Sequence, residues 1–138
     1  MFVDASAMIA ILTQESDADV LAEALGAAST PITSSIAVYE ATLGLCRKRR
    51  ASVAAAQEKV HEFLLSAGIR LVAIAADESD RALDAFARYG KGRGHPAQLN
   101  MGDCFAYAVA RAHRTSLLFK GGDFAMTDIP AAVSGLRS

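Results

Sequence analysis

The sequence predicts a parallel α/β domain whose sheet is covered by helices on both faces. Three observations lead there. Short apolar or β-branched runs alternate with longer helix-forming stretches, the connections between them are short, and alanine-rich segments at 18–28 and 51–56 make helix outweigh strand. At 138 residues, 52% of them apolar, the chain is sized for one domain over 1–138 with a single core.

In chain order, Met1-Phe2-Val3 is a first strand closed by Asp4, and 5–12 starts a helix. Thr13 to Asp17 is a polar break, a second helix runs from Asp17 to Ala27, and Thr30-Pro31 ends it. Ile32-Thr33-Ser34 is a short strand, and Ser34-Ser35 supplies an N-cap for a helix beginning near Ile36. In that helix Ile36, Tyr39, Glu40, Leu43 and Gly44 share one face by three-and-four spacing. A helix over 51–67 completes a hairpin with it, and Gly68 stops that helix. Leu71 to Ile74 is the third strand, Asp77 to Tyr89 a helix, and Gly90 to Gly102 a glycine-bearing loop. Asp103 then leads a buried-looking helix, and Ser116 to Phe119 is the fourth strand.

The net charge of −1 gives no global basic signature, so any contact with nucleic acid must use local patches. Two exist: Arg47-Lys48-Arg49-Arg50 at the end of the Glu40 helix, and Arg88, Lys91 and Arg93 around the glycine loop that leads to His95. The first exceeds what helix capping requires and is a candidate phosphate contact, although cations also suit a helix C-terminus. Cys46 and Cys104 lie far apart, and the three histidines are scattered, which argues against a disulfide framework or a thiolate or imidazole metal site. No stretch approaches about twenty apolar residues and the opening has no basic leader, so a soluble cytoplasmic protein is the expectation.

Four acids stand out because each is set in apolar or glycine-rich sequence: Asp4, Glu40, Asp103 and Asp123. Singly, most have a plain use. Asp4 caps a helix, Asn100 and Asp103 are spaced as a capping box, and Asp123 and Asp128 suit turns. Glu40 has no capping role in mid-helix, and an unpaired buried carboxylate costs several kcal/mol. A parallel α/β fold brings the four together beyond the strand ends. Like charges about 4 Å apart repel by about 4 kcal/mol at an effective dielectric near 20, so such a cluster calls for cations. Mg²⁺, with Mn²⁺ as substitute, takes carboxylates, water and phosphate oxygens, which makes phosphodiester hydrolysis the natural chemistry.

These residues also carry a resemblance. Val3-Asp4-Ala5-Ser6-Ala7, Tyr39-Glu40-Ala41, Leu99-Asn100-Met101-Gly102-Asp103-Cys104 and Leu118-Phe119-Lys120-Gly121-Gly122-Asp123-Phe124, in this order and spacing, resemble the PIN-domain ribonucleases and among them the VapC-type toxins of bacterial toxin–antitoxin pairs. The resemblance implies a three-layer α/β/α sandwich with a mainly parallel sheet of four or five strands. It also implies Mg²⁺ or Mn²⁺ dependence, RNA cleavage, a homodimer or a heteromeric complex, and inhibition by a VapB-like antitoxin. By the same likeness Asp4 and Asp103 are the principal metal ligands, Glu40 binds directly or through water, and Asp123 completes the pocket. Ser6 matches a hydroxyl position beside the site, Asn100 orients Asp103, and Asp128 is a second candidate for the fourth acid or a turn residue. Gly122 departs from the pattern, standing where a polar residue is frequent.

Two other readings compete. A haloacid-dehalogenase-like phosphohydrolase also ends its first strand in Asp but wants a second Asp two residues on, where this chain has Ser6. A non-cutting RNA-binding or antitoxin-binding module would keep the acids without the reaction.

Overall fold

The computed structural model of the chain describes residues 1–133. Its strands are β1 (Phe2–Val3), β2 (Ile32–Ser34), β3 (Arg70–Val72) and β4 (Leu117–Leu118). Its helices are α1 (Ala5–Leu12), α2 (Ala18–Ala27), α3 (Ser35–Arg49), α4 (Val53–Ser66), α5 (Glu78–Tyr89) and α6 (Met101–Ala112). The four strands form a parallel sheet in the order β3-β2-β1-β4.

This order fixes where a site can form. From β1 the chain steps outward to β2 and β3, then returns across the sheet to β4 on the other side of β1. Right-handed crossovers put α1 to α4 on one face and α5 and α6 on the other. The reversal leaves a crevice beyond the C-terminal ends of β1 and β4, where open α/β sheets bind ligands. Asp4 is the first residue past β1.

Phe2, Met8, Leu21, Leu99, Leu117 and Leu118 are fully buried in one contiguous apolar cluster, each contributing about 1.5–3 kcal/mol. The buried Thr33 hydroxyl donates to the Val3 carbonyl at 2.8 Å, so β2 carries no orphan polar group there.

The structure departs from the sequence reading in two elements. The apolar face expected along Ile36, Tyr39, Glu40, Leu43 and Gly44 is not the face that α3 buries: Tyr39 is 65% exposed, and Ala37, Ala41, Thr42, Gly44 and Leu45 are inside. Close packing on α1 is part of the reason: a Cβ at Gly44 would overlap Ile9, so of the expected face only Gly44 is fully inside, and the buried stripe runs instead through Ala37, Ala41 and Leu45. The third strand ends at Val72 instead of Ile74 because the buried Glu78 accepts the Ala75 N–H at 2.9 Å and draws the chain into α5.

Candidate active site

Asp4 is built into the sheet and the first helix together. Its backbone N–H donates to the Leu118 carbonyl at 3.0 Å, joining the end of β1 to β4. Its side chain caps α1: Oδ2 accepts the Ser6 N–H at 2.9 Å and the Ser6 hydroxyl at 2.6 Å. The Ser6 oxygen in turn accepts the Lys120 N–H at 3.0 Å. Burial pushes the Asp4 carboxyl up from its ordinary value, and the Ser6 hydrogen bonds oppose that.

Asp103 sits in the first turn of α6. Its N–H donates to Asn100 Oδ1 at 2.9 Å and its Oδ2 accepts the Asn100 N–H at 3.0 Å, a complete capping box. The cap and a site are therefore compatible, because it fixes the carboxylate and commits only one of its oxygens. Burial pushes Asp103 up to about 7, the Asn100 N–H works against this, and the charges of Asp4, Glu40 and Asp123 add to it.

Glu40 reaches this place from α3. Its half-buried carboxylate lies directly against Gly102, at the N-terminal turn of α6, where the helix dipole favours an anion. Burial first, and then the Asp4 charge, push it up to about 7. Asp123 approaches from the turn after β4. It is exposed and stands before a 3-10 turn over Phe124–Met126 without making a side-chain cap. Asp4, Glu40, Asp103 and Asp123 are thus one electrostatic group.

The other sequence candidates go elsewhere. Asp128 is held by Arg111 at 2.8 Å, by Arg88 at 3.2 Å and by the Tyr107 hydroxyl. Against the cost of burial, these partners keep its carboxyl well below the usual range. That clasp secures the segment after β4 to α5 and α6. Arg47, Lys48, Arg49 and Arg50 lie at the far end of α3, about 10–15 Å along its axis from Glu40 at 1.5 Å per residue. Two of them are committed to the fold: Lys48 pairs with Glu15 at 2.7 Å, and Arg49 donates to the Leu12 carbonyl at 3.3 Å.

Sequence reading missed Gly102, Lys120 and Glu15. Gly102 carried a usable signal, a residue without a side chain directly before a candidate ligand. Its expected role gives a test. A Cβ at Gly102 would overlap the Glu40 carboxylate, which sits at the end of a flexible side chain and can move aside. Gly102→Ala should therefore leave the melting temperature within a few degrees of the parent while reducing metal-dependent activity about tenfold or more. A fully active Gly102→Ala protein would show that Glu40 need not occupy this position.

The donor set is carboxylate oxygen throughout, which suits a hard cation and disfavours zinc or copper. Among the described residues no three His, Cys, Asp or Glu side chains converge closely enough to hold an ion unaided. A hydrated Mg²⁺ fits such an arrangement, since it binds through one or two carboxylates and fills its shell with water and substrate phosphate. The raised Asp4, Glu40 and Asp103 carboxyls show that burial and mutual repulsion oppose negative charge here, the condition a bound cation would relieve.

The chain is similar to known proteins in sequence and in fold. The PIN domain family profile matches residues 1–130. Ribonuclease VapC of Mycolicibacterium smegmatis is 43% identical over 132 residues, covering 95% of this chain and 98% of that protein. Among solved structures, the sarcin-ricin loop cleaving toxin VapC20 of Mycobacterium tuberculosis superposes with a TM-score of 0.73 at 18% identity, over 93% of this chain and 95% of that one. A toxin–antitoxin complex from Klebsiella pneumoniae gives a TM-score of 0.64 at 22% identity, over 90% and 89% of the respective chains.

Proposed function

Because the chain belongs to the PIN-domain family, we propose that it is a VapC-type ribonuclease toxin, a divalent-metal-dependent endoribonuclease restrained by a VapB-like antitoxin. The observation that carries this is that the charges of Asp4, Glu40 and Asp123 all bear on Asp103, with Asp4 at the switch point of the sheet. The named relatives support the nuclease, and the family match gives the haloacid-dehalogenase-like alternative no support.

Asp4 and Asp103 would hold Mg²⁺ or Mn²⁺, with Glu40 and Asp123 contributing directly or through water. When bound, the cation supplies positive charge beside the scissile phosphate and an acidified water. The chain's own residues do the rest. Ser6 fixes Asp4 and Asn100 fixes Asp103, so neither carboxylate has to reorganise. Glu40, pushed up to about 7 by burial and the Asp4 charge, would give up its proton as the cation binds.

A second set of cations for the RNA backbone stands on the glycine loop. The Lys91 N–H donates to the Leu99 carbonyl at 2.9 Å, which roots the glycine loop one residue from the Asn100 cap. Lys91 and Arg93 are exposed and make no ion pair among the described residues. Removing both as alanines should flatten the dependence of log affinity on log salt by about 1.4, at about 0.7 per cation for single strands. A slope lost instead on changing Arg47 and Arg50 would move the RNA path to the far end of α3.

An antitoxin would act by placing a guanidinium in the acidic pocket or by distorting a dimer of the toxin. Among the described residues no helix is long and apolar enough to cross a membrane, and action on RNA in the cytoplasm is part of the proposal. The test is incubation of the purified chain, stripped of any partner, with RNA and Mg²⁺ or Mn²⁺ beside a chelated control. Discrete cleavage that the chelator abolishes is the expected outcome. Cleavage that survives chelation, or RNA binding without cleavage, would reject it.

A further inference from the structure

The turn after β4 is held by one lysine with two separate attachments. The Lys120 backbone N–H donates to Ser6 Oγ at 3.0 Å, while the Ser6 hydroxyl donates to Asp4 Oδ2 at 2.6 Å. A serine has one hydroxyl proton, so with the Lys120 N–H on a lone pair that proton is kept for Asp4. Meanwhile the Lys120 ammonium closes on the Glu15 carboxylate and lies 3.3 Å from Asp17, between α1 and α2. All three side chains are sheltered, at 19%, 20% and 11% exposure for Lys120, Glu15 and Asp17. The other Glu15 oxygen takes Lys48 of α3 at 2.7 Å. Lys120 and then Lys48 hold Glu15 down to about 2. Past Lys120, Gly121 turns the chain at φ +104, which favours glycine, and Asp123 follows two residues later.

We propose that Lys120, anchored by Glu15, is a positioning residue of the candidate active site: it clamps the hydroxyl that orients Asp4 and the turn that delivers Asp123. This rests on the ribonuclease reading above. Lys120 differs from a phosphate contact in that its charge is spent. Glu15 and Asp17 balance Lys48 and Lys120, so the group offers RNA no net attraction, and withdrawing Lys120 would leave sheltered Asp17 without its cation and Glu15 with Lys48 alone. The clamp also explains how a turn containing Gly121 and Gly122 holds an acid in place.

The test compares Lys120→Met, Lys120→Arg and Glu15→Gln with the parent. It measures kcat and KM on an RNA oligonucleotide at several salt concentrations, Mn²⁺ binding without RNA, and melting. Lys120→Met should lose about ten- to a hundredfold in kcat, the effect of removing an outer support of a metal site, and should bind Mn²⁺ more weakly. Its KM and salt slope should stay at parental values. Glu15→Gln should move the same way by less, and Lys120→Arg should recover most of the loss. A raised KM with a flattened salt slope in Lys120→Met, or a lowered KM in Glu15→Gln, would make Lys120 an RNA contact and overturn the clamp. Parental kcat and Mn²⁺ binding in folded Lys120→Met would overturn it too. If Lys120→Met does not fold, Glu15→Gln decides by the same criteria. A parent that neither cleaves RNA nor binds Mn²⁺ through Asp4 would instead defeat the ribonuclease reading, so the two failures are distinguishable.

Discussion

Asp4→Asn and Asp103→Asn should each lose RNA cleavage by about a thousandfold, as expected when several kcal/mol of transition-state charge stabilisation disappear. Neither should melt below the parent. Asparagine at position 4 keeps an oxygen to accept the Ser6 N–H and hydroxyl, and at position 103 it keeps one to accept the Asn100 N–H. What each variant removes is a charge that burial opposes at both positions and that its neighbours also oppose at Asp103. The fold should therefore gain where the reaction loses, the signature of a site strained for function. Melting curves and single-turnover cleavage on the same preparations check this. Full activity in either variant would remove that acid from the site, and a large fall in melting temperature would show its carboxylate to be structural.

Without a divalent cation, the protein should melt at a higher temperature near pH 5 than near pH 8. Glu40 and Asp103 titrate near 7 in the fold, against ordinary values near 4 in the unfolded chain. Between these limits the folded state binds more protons than the unfolded state, so stability falls as pH rises. The stabilising protons are fully present below about pH 4 and are gone once pH has passed about 7. A cation must displace those protons, so Mg²⁺ or Mn²⁺ affinity should climb with pH by up to about tenfold per unit for each proton released, and level off above 7. Saturating cation should then raise the melting temperature most at pH 8 and least at pH 5. Glu40→Gln combined with Asp103→Asn should flatten both dependences. If that double variant keeps the parental pH profile, other groups control it.

The candidate acids stand out in the sequence because their contexts are local. Asp4 directly follows an apolar strand, Asn100 and Asp103 stand at cap spacing, and Glu40 is an acid in a helix with no cap to serve. The parallel sheet followed from the alternation of elements, and with it the end of the sheet at which the acids gather. The face that α3 buries was not legible. Large apolar residues mark a buried stripe only where there is room for them, and contact with Ile9 leaves room at position 44 for glycine alone.

The sequence by itself determined the strand and helix order and singled out the four acids of the proposed site, all of them oxygen donors. Only the tertiary structure decided which charges are free to act. Asp128 and Asp123 look alike as turn acids, yet one is neutralised by Arg88 and Arg111 while the other faces solvent beside the site. Lys120 looks like an available cation until Glu15, 105 residues away, closes on it. The physical reason is the same in both cases. A residue's type sets what it is able to bond, but its free charge depends on neighbours brought in from remote parts of the chain.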